Sequence, residues 1–428
     1  MKKKLALLTV SVVAVLCIIG FAACSNDNQT PPATTEEPTL QEQYDEFREF
    51  IENNNDKYIV SLSKERAGKK ETGTVSVASD RIYEKTTGED NSQESYVWLD
   101  EGYAYTKTTY DNQNEYSVEY MSDDTFGIQT ILNKISEKYL YKDEYLYKKD
   151  FFESMLDSIV VESDAVTFSF EVLQNEISCQ NGTLTFEEDA VKINFDLILW
   201  NLPVHDPSDA IVDVQIEISA IGTNAVEFPF EEETEFAGIT TLDRLYAQMA
   251  WVLDADSAML DVKISGYPVM GVSAELPFTL QLSGGEALAQ VEVEGIAAVA
   301  IGAICKDDTF YYITETTFGE QNSMDVSPKE YGYTIARFFE LFSFHLNKKE
   351  YFELVDGSET LLTLSEQGKV WYNYCDELLI DFSKPGEYVV SAKINNPGMP
   401  ESLTCTIKDV GVEKEIQFPD SWKEYIDI

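Results

Sequence analysis

Val212-Asp213-Val214-Gln215-Ile216-Glu217-Ile218-Ser219 alternates branched apolar residues with polar ones over eight positions. Successive side chains of a strand point to opposite faces, so this run predicts a strand with one dry and one wet face. The same period of two holds at Val166, Phe168, Phe170 and Val172 against Thr167, Ser169 and Glu171. It returns in the second half of the chain, at Val291 and Val293 against Gln290, Glu292 and Glu294. Strands of this kind pair into antiparallel sheets with one face in water.

Just beyond the first run, Ile218, Ile221, Gly222, Phe228 and Pro229 have counterparts in Ile407, Val410, Gly411, Phe418 and Pro419. Three more pairs of landmarks keep the same order. Leu40, Tyr44, Phe47 and Ile51 form a one-face helical stripe that Leu242, Tyr246, Met249 and Leu253 repeat with identical spacing. Asp100-Glu101-Gly102-Tyr103-Ala104-Tyr105 parallels Asp307-Asp308-Thr309-Phe310-Tyr311-Tyr312, each a polar turn entering an aromatic strand. Lys149-Asp150-Phe151-Phe152-Glu153 parallels Lys349-Glu350-Tyr351-Phe352-Glu353. Loop insertions account for the drift in offset, and the four matches together predict an internal duplication. The competing reading is two unrelated β-rich halves of similar composition.

Each half also carries a second helical stretch, Thr125 to Leu140 and Pro328 to Leu346, the latter with Ser327 as N-cap and Ile335, Phe338, Phe339 and Phe342 on one stripe. The expected fold class is therefore α+β: two tandem repeats, each a large, curved, half-barrel-like antiparallel sheet with helices packed on one face. The expected organisation is a signal peptide over 1–23, a disordered tether over 24–39, a first repeat domain over 40–235 and a second over 236–428.

Lys2, Lys3 and Lys4 followed by the apolar stretch Leu5 to Ala23 read as an export signal. The stretch ends Phe21-Ala22-Ala23-Cys24, which resembles the lipobox of bacterial lipoproteins and implies lipidation at Cys24. Phe21 departs from the commonest residue there, and an uncleaved membrane helix is the competing reading. Either way the bulk of the chain is expected on the extracytoplasmic face of the cell membrane, held there through its N-terminus. Ser25 to Thr39 is polar and proline-containing with a single Ala33, a composition that buries no core. Fully extended, such a tether reaches on the order of 50 Å.

Against 31 Lys and Arg stand 77 Asp and Glu, a net charge of −46. That field repels nucleic acid and anionic polymers, so nucleic acid is excluded as a partner. A hydrophobic fraction of 44% excludes a disordered acidic chain. Beyond the anchor, Cys179, Cys305, Cys375 and Cys405 are too sparse for a disulfide scaffold. They read as free buried thiols, with one bridge, Cys375 to Cys405, open to them in an oxidising compartment.

The order of these elements behind a lipobox looks like the bacterial lipoprotein-carrier superfamily, which includes the periplasmic lipoprotein chaperone and the lipid-carrying lipoproteins of mycobacteria. The resemblance implies a half-barrel sheet around an apolar cavity closed by helices, with an acyl chain or other apolar molecule bound in each half. Ile296 to Ile304 is a run of small and branched apolar residues without a polar face. A strand with two dry faces must be covered on both, by protein or by ligand, and Ile296, Val299, Ile301 and Ile304 are the candidate ligand-contacting residues. The competing reading is a central strand covered by helix on one side and by the other half on the other.

Catalytic signatures fail on inspection. Ser61-Leu62-Ser63-Lys64 fits the spacing of serine acyl-enzymes, but in an alternating segment Ser61 and Lys64 point to opposite faces. Gly271-Val272-Ser273-Ala274-Glu275 has Glu275 where a nucleophile elbow needs glycine. Two histidines, His205 and His345, leave little material for a nucleophile pair or a zinc site. Asp254-Ala255-Asp256 starts like a calcium loop without its later ligands, and Glu231-Glu232-Glu233-Thr234-Glu235 reads as a solvated linker. Tyr103, Tyr105, Tyr110, Tyr116 and Tyr120 read as cross-strand partners, with a ring platform for sugar or protein as the alternative.

The sequence thus predicts a non-enzymatic surface lipoprotein, without cofactor or metal, that binds an apolar or lipid-like ligand in carrier-type domains. The alternative is a structural or interaction lipoprotein with filled cores that meets another protein.

Overall fold

The computed structural model describes residues 38–419 and 422, apart from 54–55, 89–91, 111–112, 122–126, 129–130, 133–150, 174–176, 200–209, 270–271, 294–296, 307–308, 317–323, 329–331 and 398. Cys24, the signal segment, most of the tether and His205 lie outside the described residues. No described helix is long and apolar enough to cross a membrane.

The first sheet is built from β1 (Lys57–Arg66), β2 (Lys69–Ala78), β3 (Arg81–Thr87), β4 (Ser92–Asp100), β5 (Tyr103–Tyr110) and β6 (Gln113–Tyr120). It continues with β7 (Val160–Val161), β8 (Val166–Leu173), β9 (Ile177–Glu187), β10 (Ala190–Leu199) and β11 (Ile211–Ser219). Its order is β6-β5-β4-β3-β2-β1-β11-β10-β9-β8-β7, so the first and last strands meet in the middle. The second sheet contains β12 (Ala258–Val269), β13 (Val272–Ser283), β14 (Glu286–Val293), β15 (Ala297–Lys306), β16 (Thr309–Thr316) and β17 (Met324–Pro328). Then follow β18 (Phe352–Leu354), β19 (Leu361–Leu364), β20 (Cys375–Lys384), β21 (Glu387–Ile394) and β22 (Ser402–Lys408). Its order, β17-β16-β15-β14-β13-β12-β22-β21-β20-β19-β18, is that of the first sheet strand for strand. All described pairings are antiparallel, and neither sheet closes into a barrel.

Each sheet is preceded by a helix with a reciprocal cap. In α1 (Leu40–Glu52) the Thr39 hydroxyl accepts from the Glu42 amide while the Glu42 carboxylate accepts from the Thr39 amide. Thr240 and Asp243 repeat the arrangement at α4 (Thr241–Asp254). Tyr44, Phe47 and Ile51 of α1 join Tyr58, Val60, Ile193, Val214 and Ile218 in the first core. Leu245, Met249 and Leu253 of α4 join Leu260, Val262, Ile380 and Leu403 in the second. Helices therefore cover the dry face of each sheet, as the α+β reading requires. In the first core they are joined by Met155 of α2 (Phe151–Asp157) and by Ile128, Ile131 and Leu132, which are helical and buried; the rest of the expected helix Thr125 to Leu140 lies largely outside the described residues.

The expected helix from Pro328 to Leu346 is corrected. Ser327 and Pro328 end β17, paired with Phe310 and Thr309, and the helix shrinks to α5 (Ile335–Glu340) capped by Thr334. A proline tolerates a strand end as well as a helix start, since it has no N–H to offer either. Ile335, Phe338 and Phe339 keep their expected buried stripe.

After each central strand the chain turns alike. Gly222 and Gly411 take left-handed φ of 71° and 74°, following Ala220 and Asp409 at 52°. The Gly222 amide donates to the Lys57 carbonyl and the Gly411 amide to that of Ser257, both at 2.8 Å. The segment that follows then crosses the outer face of its own sheet as a strap.

Candidate functional site

The first strap corrects the solvated-linker reading. Phe228, Phe230 and Phe236 cap an aromatic floor of Tyr83 and Tyr96, Trp98 and Tyr105, with Tyr96 lying 5.6 Å from Phe228 and 5.3 Å from Phe230. Lys107 Nζ sits 4.7 Å above the Phe230 ring. Two of the four glutamates over 231–235 are tied down as well, while Glu231 and Glu233 stay exposed. In α3 (Glu232–Glu235), Glu232 pairs with Arg81 at 2.8 Å and Glu235 with Lys107 at 2.7 Å, and Glu235 also accepts from Tyr116 Oη at 2.6 Å. The lysine and the tyrosine hold the Glu235 carboxyl below its ordinary range. The expected boundary between residues 235 and 236 thus falls inside one packed cluster.

Three of the five tyrosines, Tyr103, Tyr105 and Tyr120, act as cross-strand partners. Trp98 and Tyr105 face each other across β4 and β5 at 5.3 Å, and Tyr103 and Tyr120 across β5 and β6 at 5.2 Å. Tyr120 also packs on Trp251 of α4 at 5.1 Å. Gln248 bridges the halves, accepting from Tyr103 Oη and donating to Tyr388 Oη.

The second strap decides where the candidate apolar residues sit. Ile304 packs with Leu288, Ile313, Ile416 and the fully buried Trp422, with Ala300 and Phe418 alongside. Its neighbour Ala303 faces the main core of the second half. Val299 is half-buried, Ile301 is exposed and Ile296 lies outside the described residues. The three described residues are therefore not gathered around one space. Over Gly302 to Ile304 this strand is dry on both faces because protein covers both, the outer side being closed by its own C-terminal strap rather than by the other half.

Two cavities open on the wet side of the first sheet. One of 740 Å³ is lined by Ser169, Glu171, Ser178, Gln180 and Asn181, with Phe170 and Cys179. It lies where β8 and β9 slip register around Ser169, a bulge that splays the ladder. Another, of 460 Å³, crosses β2, β1, β11 and β10 and is lined by Ser61, Ser63, Thr72, Thr74, Lys192, Asn194, Gln215 and Glu217. These are the polar alternates of the strands whose apolar residues build the core. Ser61 stands opposite Thr74 and Glu217, Ser63 opposite Thr72 and Gln215, and Asn194 opposite Gln215. Lys192 is 2.7 Å from Glu187 and 3.9 Å from Glu217. Hydrogen bonding to Glu187 raises its ammonium pKa.

Ser61 and Lys64 point to opposite faces of β1, Lys64 pairing with Glu71 at 2.9 Å, so the serine–lysine spacing makes no catalytic pair. Val272 opens β13, as read. His345 Nδ1 is 4.0 Å from Glu340, and its carbonyl accepts from Tyr372 Oη. Among the described residues no group of three His, Cys, Asp or Glu is placed to hold a metal ion. Cys179, Cys375 and Cys405 are buried, and no disulfide joins Cys375 to Cys405 in this structure. Sequence reading missed the groove, because single-strand alternation does not say which wet faces the twist of a sheet makes concave.

No family model and no curated protein matches the chain. Among solved structures, a DNA polymerase III subunit beta sliding clamp from Bartonella birtlesii aligns at 8% identity over 85% of this chain and 97% of that one. Its TM-score of 0.10 carries no argument about fold or function.

Proposed function

We propose that the chain is a non-enzymatic lipoprotein, anchored through Cys24 on the extracytoplasmic face of the cell membrane, that works through its surfaces. We take it to be two copies of one domain, divided near the cap of α4. Identical strand order, paired capping boxes and the shared turn at Gly222 and Gly411 support the duplication.

The observation that carries the surface reading is the covering of Ile304 by Trp422 and Ile416, which fills the position a ligand would take. The dry faces beneath the helices are likewise packed, with Tyr58, Val60, Leu260 and Leu403 fully buried. Strands dry on both faces need not mean a cavity when the chain supplies its own cover.

The carrier reading keeps one observation in its favour, since each apolar face lies between an open sheet and helices, where the resemblance puts its ligand. Native mass spectrometry of residues 25–428 purified without detergent separates the two. The surface reading expects the bare mass and no uptake of a fluorescent fatty acid. A stoichiometric lipid adduct overturns it in favour of the carrier.

A further inference from the structure

We propose that the groove across β2, β1, β11 and β10 binds a neutral, hydroxyl-rich ligand, a segment of an uncharged oligosaccharide. The proposal rests on the surface reading above and gives it a ligand class. Four hydroxyls, Ser61, Ser63, Thr72 and Thr74, and two carboxamides, Asn194 and Gln215, line one concavity. Hydroxyls and carboxamides both donate and accept, as do the hydroxyls of a sugar. Among the described residues these six side chains make no hydrogen bond or ion pair, so their capacity is turned outward.

Other ligand classes fit worse. The groove's charges are one lysine and one glutamate, 3.9 Å apart, so neither a polyanion nor a polycation finds complementarity there. A net charge of −46 repels polyanions further. An apolar ligand meets a polar lining. A peptide adding itself as a strand needs an unpaired edge, yet β1 is paired on both sides by β2 and β11, and β11 by β1 and β10.

The matching wet face of the second sheet sets charged pairs among its hydroxyls. Asp261 accepts from Lys408 Nζ at 2.9 Å and from Thr279 Oγ1 at 3.1 Å. Lys263 is held by Glu275 at 3.0 Å. Binding is therefore confined to the first half. With no ring in the groove to stack on a sugar face, its affinity is weak, with Kd on the order of 1 mM.

The test is a heteronuclear NMR titration of residues 25–428 with neutral hexasaccharides of glucose and of N-acetylglucosamine. Saturable shifts confined to the groove strands are expected. The double variant S61A/T74A and, separately, N194A/Q215A should each weaken binding about tenfold or more, while T279A in the second sheet leaves it unchanged. These positions lie on a wet face, so folding is preserved and is checked by the thermal midpoint. No saturable shift with either sugar, or binding indifferent to both double variants, overturns the proposal. Shifts induced only by a polar peptide would assign the groove to a protein partner instead and equally overturn it. A lipid adduct in the mass spectrum leaves this titration readable, so the two failures are told apart.

Discussion

At Gly302 the chain has no room for a side chain. A Cβ there would stand 2.3 Å from the Ala287 carbonyl oxygen and 2.8 Å from the Trp422 ring. Gly302→Ala should therefore push the C-terminal strap off β15 and cost about 1–3 kcal/mol, read by urea denaturation. An unchanged midpoint would mean that neither the Ala287 carbonyl nor the strap presses on this position. The thiols make a second residue-scale case. Burial pushes Cys179 up to about 12 and Cys375 up to about 11, and raises Cys405 as well. Their ordinary value is 9.0, so between that pH and the folded values the unfolded chain loses protons first. Stability is full below pH 9.0 and declines as pH climbs toward the raised values. The matching chemical outcome is that these three cysteines resist a thiol reagent at pH 8 and react together in about 6 M urea. Fast reaction of Cys405 in the native protein would contradict its burial.

The first strap is the element that sequence reading understood least. Its five consecutive glutamic and threonine residues look like a solvated linker because a docked, irregular segment has no periodicity to betray it. The decisive residues were the flanking rings Phe228, Phe230 and Phe236, whose partners Tyr96 and Trp98 lie far back in the sequence. By contrast the central strands and the opening helices were legible, since period is a local property, while Gly222 and Gly411 were matched to each other without their turn being read. The polar groove was not, because it depends on how four strands twist together. The strap also carries a pH dependence. Lys107 and then Tyr116 depress the Glu235 carboxyl, so its contribution is present above the ordinary carboxylate range and is lost as pH falls through the depressed value. Limited proteolysis should accordingly cut within 225–239 readily at acidic pH and slowly at neutral pH. The variant Phe230→Ala should show the fast cleavage at neutral pH too, by removing the ring that Tyr96 and Lys107 pack against. Equal cleavage of the two proteins at neutral pH would sink the idea that the rings hold the strap.

On the scale of the whole molecule, two sheets are joined through one helix. Buried residues of α4 belong to the second core, while Trp251 and Gln248 reach Tyr120 and Tyr103 of the first sheet. Trp251→Ala removes the ring contact, worth about 1 kcal/mol beyond its area, and should separate one calorimetric unfolding transition into two. Charge sets a broader condition. A chain with 77 acidic and 31 basic residues repels itself most when compact, whereas its ion pairs are largely exposed and contribute little each. Salt screens the repulsion over about 10 Å at 0.1 M, a distance that spans neighbouring strands of the wet faces. The melting temperature should therefore rise by several degrees between about 10 mM and about 150 mM sodium chloride. Because no three carboxylates among the described residues converge on one point, calcium chloride at the same ionic strength should do no more than sodium chloride. A midpoint that falls with salt would assign net stabilisation to the surface ion pairs. A calcium effect well above the ionic-strength curve would instead require a built site, and with it a different account of why so acidic a chain stays folded.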